Sequence, residues 1–87
     1  MVEYEATATI YSSERLLLGY EIKAAALIEL VRFYQRNGIV IGIYDVPDLD
    51  IKIKDVKITD GNNFYIIEIL FSYKPLKKVL ERLTNKN

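Results

Sequence analysis

The chain has 87 residues, twelve Lys and Arg against twelve Asp and Glu, and no Cys, His or Trp. That length fits one domain spanning 1–87, and the missing residue types exclude disulfides, thiolate nucleophiles, imidazole acid–base catalysis and Cys or His metal ligation. Carboxylate, lysine, tyrosine and hydroxyl chemistry remain, on a chain that is 51% hydrophobic.

Residues 2–11 alternate. Val2, Tyr4, Ala6, Ala8 and Ile10 point one way, with Glu3, Glu5, Thr7, Thr9 and Tyr11 the other, which predicts a half-buried strand. Its alanines leave room for a helix to approach. Ser12 and Ser13 can cap a following helical segment, which Gly19 breaks. The main helix is expected over about residues 20–37, stopped by Asn37 and Gly38. Glu21, Ala25, Glu29, Arg32 and Arg36 form its polar stripe, and the apolar arc covers roughly two-thirds of the circumference, more than one sheet needs.

Residues 39–46 are β-branched and apolar on both faces, which predicts an interior strand ended by Pro47. In residues 51–59 the apolar parity switches between Ile53 and Val56. A β-bulge near Lys54 and Asp55 restores the phase and gathers Lys52, Lys54 and Lys57 on the outer face. A hairpin turn at 59–63 leads into a strand over 64–72, again apolar on both faces. The last helix starts near Ser72 and Pro75, with Leu76, Val79, Leu80 and Leu83 on one face; residues 84–87 are expected to fray.

The order is β-α-β-β-β-α, an α+β two-layer sandwich with a largely antiparallel sheet and both helices on one face. If 39–58 were one bent strand, the order would be β-α-β-β-α, a ferredoxin-like unit lacking its last strand. That variant resembles the ligand-sensing ACT domains, and the resemblance implies a small-molecule sensor with its site at a dimer interface near Asn37 and Gly38.

Two strands apolar on both faces leave one sheet face uncovered. Burial is worth about 25 cal/mol per Å², and large apolar patches are rare on monomers. A homodimer or higher homo-oligomer is therefore expected, its interface formed by Phe64, Ile66, Leu70, Tyr44 and Val40. The alternative is that residues 16–18, three leucines, fold over the patch. Charge is also uneven. Residues 1–50 hold eight acids and four bases, net −4, and residues 51–87 the reverse, net +4. Such a split can orient a partner, whether another protein or a second copy.

The basic residues Lys52, Lys54, Lys57, Lys74, Lys77, Lys78 and Arg82 give an alternative reading, a nucleic-acid-binding surface on strand and last helix. Asp45, Asp48 and Asp50 are the only candidate Mg²⁺ or Ca²⁺ ligands, and they lack the glycine and closing glutamate of an EF-hand. They read instead as a solvated turn. The four glycines stand singly, so no phosphate-cradling loop is present. No catalytic residue and no cofactor is assigned.

No stretch approaches the ~20 apolar residues of a membrane span, and the first residues lack a basic segment followed by an apolar one. A cytoplasmic protein is expected. Glutamine occurs once, at Gln35, while Ile, Tyr, Lys and Glu are abundant, a bias shared with many thermophile proteins. The leading expectation is a non-enzymatic, self-associating interaction or accessory module.

Overall fold

The computed structural model describes residues 3–15 and 17–79. The elements are β1 (Tyr4–Ser12), α1 (Gly19–Arg36), a 3-10 segment (Ile43–Asp48), β2 (Ile51–Asp60) and β3 (Tyr65–Tyr73). Residues 77–79 begin a second helix. The fold is α+β, with a three-stranded sheet in the order β1-β3-β2 and antiparallel at both joints. β1 and β2 are thus parallel to each other, with α1 in the crossover between them and β3 inserted as the central strand, a split β-α-β unit.

Alternation holds in β1. Ala8 is buried, and Ala6 and Ile10 pack on the core, while Glu5, Thr7, Thr9 and Tyr11 are exposed. Val2 lies outside the described residues. Ser12 ends the strand instead of starting a helix, its hydroxyl accepting the Glu14 N–H at 3.0 Å. α1 starts at Gly19, where the Glu21 carboxylate accepts the Leu18 N–H at 3.1 Å and satisfies one free donor of the first turn. It stops in a Schellman motif. Gly38, at φ 76°, turns left-handed, Gly38 N–H donates to the Gln35 carbonyl, and Ile39 N–H donates to the Tyr34 carbonyl.

One expected strand is absent, so the β-α-β-β-β-α order does not hold. Residues 39–42 are irregular and Ile43–Asp48 is a 3-10 segment. β3 already has a neighbour on each side, which leaves an added strand only an outer edge to pair with. Pro47 removes a ladder donor, and the Asp45 carboxylate binds back to the Gly42 N–H at 2.7 Å, closing a local turn.

The hairpin matches its expectation closely. The register slips between Ile53 and Asp55, and the bulge returns Val56 and Ile58 to the side of Ile51 and Ile53. The Gly61 N–H donates to the Phe64 carbonyl at 2.8 Å across the turn, where Asn63 takes φ 64°. β3 runs to Tyr73, past the expected helix start. Of the last helix, Leu76 is buried and Val79 packs on the core; Leu80, Leu83 and the expected fraying at 84–87 lie outside the described residues.

The core lies between α1 and one sheet face. Ala26, Leu30 and Tyr34, at i, i+4, i+8 on α1, meet Ala8 of β1, Ile67, Ile69, Phe71 and Tyr73 of β3, and Leu49 and Ile51 before and in β2. Among the described residues, α1 is covered on this side only. Its opposite flank leaves Tyr20 and Ile28 exposed, so the second cover expected from the wide apolar arc is not supplied by the described residues.

Candidate interaction surfaces

The strand register fixes the outer sheet face row by row. From β1 through β3 to β2 the rows are Glu5–Ser72–Lys52, Thr7–Leu70–Asp55, Thr9–Glu68–Lys57 and Tyr11–Ile66–Thr59. Ile66 and Leu70 are half-buried in the middle. Phe64, 37% exposed, stands beyond the last row with its ring edge-on to Tyr11, centroids 5.8 Å apart. Three of the expected interface residues therefore share this face. Val40 and Tyr44 do not, because they lie in the connection to β2 and are strongly exposed there. With one doubly apolar strand gone, the central column of this face alternates Ser72, Leu70, Glu68 and Ile66, and the columns on either side are mostly polar. Leu17 packs on the helix-side core and so does not cover it; Leu16 lies outside the described residues.

The basic residues divide. Lys52 and Lys57 sit on the outer face, and Lys54 is the extra residue of the bulge. Lys74 pairs with Asp50 at 3.7 Å and Lys78 with Asp45 at 2.7 Å, at an open cleft of about 900 Å³ that Lys23, Leu49 and Lys77 also line. Arg82 lies outside the described residues. On the outer face Glu5, Asp55 and Glu68 offset the lysines, so no strongly positive strip forms there.

Two of the three turn aspartates are engaged with lysines, and among the described residues no cluster of three carboxylates gathers as a metal site would require. Asp48 belongs to the 3-10 segment, and its side chain is outside the described set. Asp45 is a small hub. Its Oδ2 accepts both the Lys78 Nζ and the Gly42 N–H, and Lys78 also donates to the Val40 carbonyl. The Lys78 hydrogen bond, aided by the Gly42 amide, holds the Asp45 carboxyl below its ordinary pKa. A depressed folded-state pKa gives stability that is present above the unfolded carboxylate pKa and is lost as pH falls through the folded one. The Gly42 amide proton shift is therefore expected to titrate with a midpoint below about 3.9, the value of an unpaired Asp. In Asp45→Asn that titration should vanish. A wild-type midpoint at or above the unpaired value would show that the hub does not form in solution.

A third surface was not foreseen from the sequence. On the side of β1 away from β3, an open groove of about 420 Å³ runs between β1 and α1, lined by Ala8, Ile10, Tyr20, Ala24, Ile28 and Arg32. The signal was present in the run from Ala6 to Tyr11, which has no charge and no proline, but using it requires knowing that β1 is an edge strand.

No described helix is long and apolar enough to cross a membrane. Compared with protein-family models, curated proteins and solved structures, the chain finds no match in any of the three.

Proposed function

We propose that the protein is a non-enzymatic interaction module that works by associating with itself, as an accessory or regulatory element. The observation that carries this is the apolar surface left on the single chain. Tyr11, Tyr20, Val40, Ile43 and Tyr44 are each at least 70% exposed, while a core of only moderate size is closed off between α1 and the sheet. Removing such residues from water is the largest favourable term available to association. The strand order supports reading the fold as a ferredoxin-like unit without its last strand. The nucleic-acid alternative loses support from the ion pairs at Lys74 and Lys78 and from the balanced charge of the outer face.

Size exclusion with light scattering over a dilution series is expected to give twice the chain mass at micromolar concentration. One chain mass throughout would overturn the proposal.

A further inference from the structure

The two edges of the sheet differ. β2 presents a bulge and Lys52, Lys54 and Lys57 along its length, devices that discourage a further strand from pairing. β1 has none of these. Its nine residues pair with β3 without a register break, and between Tyr4 and Ser12 there is no Lys, Arg or Pro. Among the described residues nothing pairs with its other side. The same side of the molecule carries the groove beneath α1, where Tyr20 is 72% and Ile28 52% exposed. Unpaired backbone and uncovered apolar side chains thus lie next to each other.

We propose that a second copy of this chain lays its β1 antiparallel against β1, making one continuous six-stranded sheet with the two α1 helices facing each other across a two-fold axis. This rests on the self-association reading and names its surface. The occupant is a second copy because the edge is self-complementary. Only a two-fold centred on Ala8 pairs all nine residues. It sets Tyr4 opposite Ser12, Glu5 opposite Tyr11, Ala6 opposite Ile10 and Thr7 opposite Thr9, with no like charges facing. Glu21 and Arg32 line the groove eleven positions apart on α1. The same axis makes the two helices antiparallel and brings Glu21 of each copy toward Arg32 of the other. Strand addition satisfies the free backbone groups, and the groove covers Tyr20 and Ile28.

The chain has no cysteine, so introduced thiols report position without background. Thr7 and Thr9 are exposed, and in this register each faces the other across the axis, within reach of a disulfide, while each lies only diagonally from its own equivalent. Under mild oxidation, Thr7→Cys alone and Thr9→Cys alone are expected to stay uncrosslinked, and an equimolar mixture to give covalent dimers. Ile28→Glu, at an exposed position, is expected to keep the circular dichroism spectrum and weaken association about tenfold or more. A mixture that does not crosslink, or single variants that crosslink as readily as the mixture, would overturn the edge geometry. Light scattering on the same samples separates the two levels. Two chain masses without crosslinking leaves self-association standing through another surface, and one chain mass removes both.

Discussion

Phe71→Ala is expected to lower the free energy of unfolding by about 3–5 kcal/mol, the range for deleting a fully buried phenylalanine. Phe71 is 0% exposed, and β3 is paired on both sides, with Ala6 of β1 and Ile53 of β2 as the register neighbours of Phe71. A strand held by two ladders cannot shift inward to fill the space, and Tyr73, with its ring centroid 6.1 Å away, belongs to the same strand. The cavity therefore stays open, and the full transfer and cavity costs apply. Against the 5–15 kcal/mol that small domains possess, this is about a fifth of the stability or more. Chemical denaturation followed by far-ultraviolet circular dichroism measures it, at one fixed protein concentration because association shifts the midpoint. A loss under 1 kcal/mol would mean that the core is not centred on β3.

The parts of the fold legible in the sequence are those where one local rule decides. Parity alone located the β2 bulge, because Ile53 and Val56 cannot share a face without an extra residue between them. Asn37 and Gly38 marked the end of α1, since few residues other than Gly adopt the left-handed backbone seen at Gly38. Residues 39–46 were misread because a β-branched apolar run looks the same in a strand and in an irregular segment that packs by turns. Ile39 and Ile41 do turn to the core, while Val40, Ile43 and Tyr44 turn out. What decided against a strand was topology: β1 and β2 occupy both sides of β3. Local pattern does not contain that information.

The interaction surfaces followed the same division. Ile66 and Leu70 were placed on one face by parity and share it, with Phe64 just beyond the strand against Tyr11 of the same face. Their grouping with Val40 and Tyr44 depended on the missing strand and fell with it. The open side of β1 was invisible for the opposite reason. Its composition is ordinary for a strand, and it becomes informative only when β1 proves to be an edge and β2, with its lysines and bulge, the other.

Ala26→Leu tests the contact that links the core to that edge, and is expected to cost about 1–3 kcal/mol. Ala26 is 0% exposed on the face of α1 that carries Leu30 and Tyr34, and it lies in one core with Ala8, itself buried on β1. Small residues on both elements let helix and strand approach closely, and three added carbons have no void to enter. Leu30 and Tyr34 anchor the helix one and two turns further on, so relief comes only by lifting the first half of α1 away from β1. That movement also displaces Tyr20 and Ile28 from the edge beside which they lie. Ala26→Leu is therefore expected to weaken self-association even at temperatures where the chain stays folded. Gln35→Leu, exposed on the same helix, should change stability by less than about 0.5 kcal/mol and leave association intact. Denaturation and light scattering on the two variants give both numbers. If Ala26→Leu proves neutral, α1 does not sit close to β1, and the groove that positions Tyr20 and Ile28 is not formed as described.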